Sequence, residues 1–118
     1  MMKSLKDVLT NLIGEQLSAA TFVQDYLQVD FNGHRLTVFV PMEVRARGLA
    51  WVSGHPDFRN QLCDLIGESV AAVDCRPEQL ILSFAEARDI CISLHDDVYV
   101  GPEAITFQPR NESGLWVI

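Results

Sequence analysis

Apolar residues in this chain fall first at helical spacing and then at every second position, and the sequence does this twice. Leu5, Val8, Leu9 and Leu12 stand at i, i+3, i+4 and i+7 behind Ser4, a suitable N-cap, with Asp7 in the first turn. This spacing predicts a helix ended by Gly14. Alternating runs follow over 16–23, 26–31 and 35–40, separated by Gln24-Asp25 and Asn32-Gly33. Asn-Gly between two alternating runs predicts a tight hairpin, because both residues tolerate positive φ. Across it Leu27, Val29 and Phe31 would pack with Leu36, Val38 and Val40. The second pass opens on Asp57 as cap after Pro56, sets Phe58, Leu62 and Leu65 on one helical face, and stops at Gly67. Strands are then predicted over 69–75, 79–84 and 89–94. Arg76-Pro77-Glu78 forms the first turn, and Ala85-Glu86-Ala87-Arg88 a wider or bulged second one.

The two passes share letters as well as rhythm. Leu12-Ile13-Gly14-Glu15 returns as Leu65-Ile66-Gly67-Glu68, and a shift of 53 positions matches roughly 8 of about 28 residues, where chance gives about two. The matches at Leu9/Leu62, Leu27/Leu80 and Phe31/Phe84 are positions a fold dictates. Glu15/Glu68, the one charged match, is expected to be a solvated residue just past a helix end. After one extra residue in the second copy, Leu36, Val38 and Val40 correspond to Ile90, Ile92 and Leu94. Both copies then reach a proline followed by glutamate, and close on Gly48-Leu49-Ala50-Trp51-Val52 and Gly114-Leu115-Trp116-Val117-Ile118. The stretch 42–52 fits a short helix or strands, whereas 104–107 and 115–118 read as a strand hairpin. The expectation is therefore an α+β fold: a single domain of two pseudo-symmetric α-β-β-β units, 4–52 and 57–118, each with a C-terminal extension. In it the antiparallel strands form a curved sheet or a pair of sheets, shielded by the two helices.

At 118 residues two such units are expected to share one core, since about 50 to 60 residues is marginal alone. Charge separates the copies. Residues 1–56 balance Lys3, Lys6, Arg35, Arg45 and Arg47 against Asp7, Glu15, Asp25, Asp30 and Glu43, so the second copy carries the net charge of −7. An acidic face repels phosphates, which disfavours nucleic acid and favours a protein partner with a basic surface. No apolar run approaches the length of a membrane span and the start is not a signal peptide, so no membrane is expected and the cytoplasm is the expected compartment. Cys63, Cys75 and Cys91 match neither a disulfide framework nor a zinc ribbon and are expected to be reduced, mostly buried thiols.

Little in the sequence points to catalysis. It holds no nucleophile elbow, P-loop or dinucleotide fingerprint, so no catalytic residue and no cofactor is expected. His34, His55 and His95 are expected in exposed turns. His95-Asp96-Asp97 with Glu103 is the cluster whose donors suit a divalent cation, but it lacks the ligand spacing of a calcium loop, and no metal is expected. Trp51 and Trp116 close the two units and read first as core residues, with an interface anchor as the functional alternative. Tyr99 stands beside the acidic pair, before Gly101-Pro102.

Leu-Ile-Gly, then Leu80, Leu82 and Phe84, then an alternating strand, Gly101-Pro102-Glu103-Ala104 and the closing Trp116 resemble small bacterial α+β proteins, some of which are immunity-like. The resemblance lies mainly in the second copy. The resemblance implies a small immunity- or antitoxin-like module, and the charge of the second copy adds the expectation that it binds a basic protein partner through Asp96, Asp97 and Glu103 with Tyr99 as apolar anchor. The alternative is a small-molecule-binding protein or hydrolase with a pocket between the units. A homodimer is also expected, pairing the neutral first copies through the uncharged run that holds Leu49 and Trp51.

Overall fold

A computed structural model describes residues 5–94, 104–110 and 115–117. Helix is scarce in it. α1 spans Leu5–Leu9 and runs into a 3-10 turn at Thr10–Leu12, and α2 spans Phe58–Cys63. The strands are β1 (Ala19–Val23), β2 (Tyr26–Phe31), β3 (His34–Val38), β4 (Met42–Ala46) and β5 (Leu49–Val52), then β6 (Ala72–Cys75), β7 (Gln79–Phe84), β8 (Arg88–Ser93), β9 (Ile105–Gln108) and β10 (Trp116–Val117). They form two antiparallel five-stranded sheets, ordered β1-β2-β3-β9-β10 and β5-β4-β8-β7-β6.

This corrects the α+β expectation. At about 1.5 Å per residue the helices reach only about 8 to 9 Å, whereas five strands about 4.8 Å apart make a sheet about 19 Å wide. Helices so short cannot cover either face. One core cluster instead joins the inner faces: Leu27, Val29, Phe31, Leu36, Ile105 and Phe107 come from the first sheet, and Leu80, Leu82, Phe84, Ile90, Met42 and Val44 from the second. Val8, Leu9, Leu12, Phe58 and Leu62 of the helical segments, and Leu65 in the turn after α2, enter the same cluster. α2 packs beside β1 of one sheet and beside β4 and β5 of the other.

Each sheet takes strands from both halves of the chain. β1, β2 and β3 form a meander that is extended by β9, with Leu36 opposite Phe107 and Val38 opposite Ile105. β6, β7 and β8 form the second meander, extended by β4, with Ile90 opposite Val44 and Ile92 opposite Met42. The chain therefore leaves the first sheet after β3, builds β4 and β5 onto the second, and returns with β9 and β10. The stretch 42–52 is a hairpin whose turn is Arg47-Gly48, at φ of 55° and 78°. Arginine is a poor signal for positive φ, so this turn is hard to read beforehand. Asn32 and Gly33 turn β2 into β3 at φ of 52° and 102°, with Phe31 opposite His34.

The two Leu-Ile-Gly-Glu segments meet. The Gly14 N–H donates to the Val70 carbonyl and the Gly67 N–H to the Leu17 carbonyl, both at 2.8 Å. The Leu17 N–H donates to Glu68 and the Val70 N–H to Glu15, both at 3.0 Å. Moving the earlier member of each bond forward by 53 positions and the later one back by 53 converts one bond into the other. Leu17 and Val70 are buried at this joint. Gly14 and Gly67 stand at φ of 86° and 95°, a region that costs an L-residue about 1 to 2 kcal/mol.

Candidate functional site

Three features of the described residues bear on function: a paired glutamate at the joint, an open groove at one end of the first sheet, and a surplus of carboxylates over cations.

The glutamates come first, because the echo places them. Glu15 and Glu68 follow the joint glycines, and neither is the freely solvated residue expected from sequence. Glu15 is half-buried; its Oε2 lies 3.3 Å from Nε2 of His34 and 2.9 Å from a guanidinium nitrogen of Arg110. His34 opens β3, is buried, and stacks on Phe107 at 6.1 Å between ring centres. Its Nδ1 accepts the Arg110 backbone N–H at 3.0 Å. A neutral ring that accepts at Nδ1 carries its proton on Nε2, which is the nitrogen facing Glu15. Arg110 also donates to the Asn32 carbonyl at 2.6 Å and lies against Gly33. In the second half Glu68 pairs with Arg88, the first residue of β8, at 2.6 Å. These groups tie elements together, and their polar atoms are spent on one another.

His34 is thus no exposed turn histidine, as the sequence suggested. His55 is exposed, and its Nδ1 accepts the Asp57 N–H at 3.0 Å. His95 lies outside the described residues.

An open groove of about 670 Å³ runs between the β1–β2 turn, the 39–41 link and the 53–59 segment. Aromatic residues line much of it. Phe22 and Phe58 meet edge to face at 6.5 Å, Tyr26 and Phe39 lie 5.7 Å apart, and the Arg59 guanidinium sits 4.9 Å over the Phe22 ring. Asp25, Ser53 and His55 supply polar atoms at its margin. Neither Glu15 nor Glu68 reaches it. Position 59 carries Lys6 in the other copy and position 22 carries Cys75. The contact thus takes its ring from the first copy and its guanidinium from the second, and the equivalent pairing of Cys75 with Lys6 offers no ring.

The surface charges are unequal. Arg35 is bonded to Asp30 at 2.8 Å, which raises its already high pKa; Arg45 is bonded to Glu43 with the same effect, and Arg76 to Asp74 at 2.8 Å. With Arg88 and Arg110 also engaged, Asp25, Asp57, Asp64, Glu78 and Asp89 make no ion pair among the described residues. Asp25 and Glu78 occupy equivalent hairpin tips, 53 positions apart.

Asp96, Asp97, Tyr99 and Glu103, the expected partner-binding residues, lie outside the described residues. Leu49 and Trp51 lie on β5, at the edge of the second sheet, with Leu49 61% exposed and Trp51 packed partly against the core. Among the described residues no group of three or more His, Cys, Asp or Glu stands close enough to hold a metal ion. Of the cysteines only Cys91 is buried and Cys63 is exposed, which corrects the expectation of mostly buried thiols. Burial pushes the Cys75 and Cys91 thiols up, and the opposing pull of Lys6 and Arg45 is smaller. Both are therefore poor nucleophiles at neutral pH. No helix among the described residues is long and apolar enough to cross a membrane.

No family model, no curated protein and no solved structure matches the chain.

Proposed function

We propose that the chain is a binding protein and not an enzyme: a small acidic module that engages a protein partner with a basic surface. The observation that carries this reading is the uneven satisfaction of charge. Its sheet arginines are closed by neighbouring carboxylates, which leaves a surplus of carboxylates facing outward, Asp25 and Glu78 at hairpin tips among them. A surplus of one sign speeds encounter with an opposite surface and weakens as salt rises. Asp96, Asp97, Tyr99 and Glu103 belong, with Glu78, to the acidic second half and are proposed to take part. The test is affinity capture, identification of the partner, and titration of the purified pair at low and high salt. Binding should weaken as salt rises and weaken further in Asp96→Lys/Asp97→Lys or Asp25→Lys/Glu78→Lys. A partner indifferent to both manipulations overturns the reading.

The groove favours a second reading, in which the protein binds a small molecule. Its volume falls within the roughly 300–1,000 Å³ of ligand sites, and four aromatic rings with a guanidinium would grip a flat, partly anionic molecule. Fragment screening by NMR separates the two readings, because shifts confined to residues 22–26 and 53–59 and lost in Arg59→Glu support this one.

A further inference from the structure

β5 is the outermost strand of the second sheet, and its residues Leu49-Ala50-Trp51-Val52 carry no charge. Leu49 is 61% and Val52 44% exposed. Edges of this kind invite pairing unless they are blunted. The other edges are handled differently. Asp74 of β6 pairs with Arg76 just beyond its end, β10 spans Trp116–Val117, and Phe22 of β1 lies under the Arg59 guanidinium.

Register fixes what the β5 edge offers. Ala46 faces Leu49 across a two-residue turn, and the Ser53 N–H donates to the Met42 carbonyl at 2.8 Å, so the backbone groups of Leu49 and Trp51 point at β4. Those of Gly48, Ala50 and Val52 point outward, and of these the Val52 carbonyl is taken by the His55 N–H at 2.9 Å. Among the described residues the free set is therefore the Ala50 N–H and carbonyl, the Val52 N–H and the Gly48 carbonyl.

That set is complementary to itself when reversed. We propose that two copies of this chain pair β5 with β5 about a two-fold axis at Ala50, joining the two β4/β5-bearing sheets into one continuous sheet. Ala50 of each copy exchanges both backbone bonds with Ala50 of the other, and each Val52 N–H meets the Gly48 carbonyl across the axis. In this register Leu49 stands opposite Trp51 of the second copy, so the exposed leucine is covered by an indole that its own chain leaves half-buried. Charge supports the same direction. Arg47 precedes β5 and Asp57 follows it, neither has an ion-pair partner among the described residues, and antiparallel pairing brings the basic end of one strand toward the acidic end of the other. Since β5 holds no acid, the chain's net −7 is kept off the contact itself.

Light scattering on the purified full chain at micromolar concentration should give twice the 13.2 kDa of one copy. Ala50→Pro removes an outward-facing N–H that no bond among the described residues requires, so it should halve the mass while the far-UV CD spectrum is kept. Leu49→Arg, which leaves the backbone alone, should also give the monomer and serves if the proline variant does not fold. A monomeric wild type overturns the proposal, and so does a dimer that survives in folded Leu49→Arg or folded Ala50→Pro.

Discussion

The same glutamate does different work on the two sides of the joint. Glu68 meets one guanidinium, that of Arg88, in a contact partly open to water. Glu15 meets an imidazole that is buried, stacked on Phe107 and bonded in turn to the backbone of Arg110, so it reaches β3 and the end of β9 together. The second side holds an ion pair and the first holds a latch on a strand that the other half of the chain supplies. A repeat can keep a position and its charge while changing what that charge secures.

The largest effect should come from opening the latch. His34→Ala removes a buried ring, leaves the Arg110 N–H without its acceptor and strips Glu15 of one partner, for a loss of about 2 to 4 kcal/mol in urea unfolding followed by CD. Its counterpart Arg88→Ala should cost about 1 kcal/mol or less, because its carboxylate partner is more than a third exposed, and high salt should narrow the difference from wild type. Equal losses would remove the distinction between the two sides.

The joint itself should respond symmetrically. Gly14→Ala and Gly67→Ala force an L side chain to positive φ with open space around the new Cβ, so each should lower stability by about 1 to 2 kcal/mol. Unfolding midpoints of the two variants should agree, and a large gap would show that one crossing matters more. The smallest change sharpens a contrast between turns. Asn32-Gly33 suits positive φ, whereas Glu86 and Ala87 occupy it at 63° and 56° with ordinary side chains. Ala87→Gly should therefore raise the unfolding free energy by about 0.5 kcal/mol, read from the denaturant midpoint.

Period-2 patterning carried most of the strands. The runs 26–31 and 79–84 coincide with β2 and β7, and the Asn32-Gly33 hairpin is where its letters put it. The helices misled because an apolar stripe shows which face is buried but not whether the helix is long enough to shield a sheet. Strand partners were out of reach for another reason. Leu36 pairs with Phe107 and Val44 with Ile90, and alternation states only that each strand has an inner face. The identity of Glu15 and Glu68 was visible, yet the meaning of the match depended on His34 and Arg88. Those two opened equivalent strands and differed in chemistry, so no shared letter drew attention to them.

The exchange of strands between halves also governs the order in which the protein becomes complete during translation. Val38 leaves the ribosome 67 positions before its partner Ile105. At about 5 to 20 residues per second the nascent chain carries β3 with a bare inner edge for about 3 to 13 s. β4 waits less long for β8, since Ile90 follows its partner Val44 by 46 positions. The second sheet can therefore close while the first is still open, and in that window the exposed edge of β3 is the nascent chain's point of greatest risk for capture by a neighbouring polypeptide.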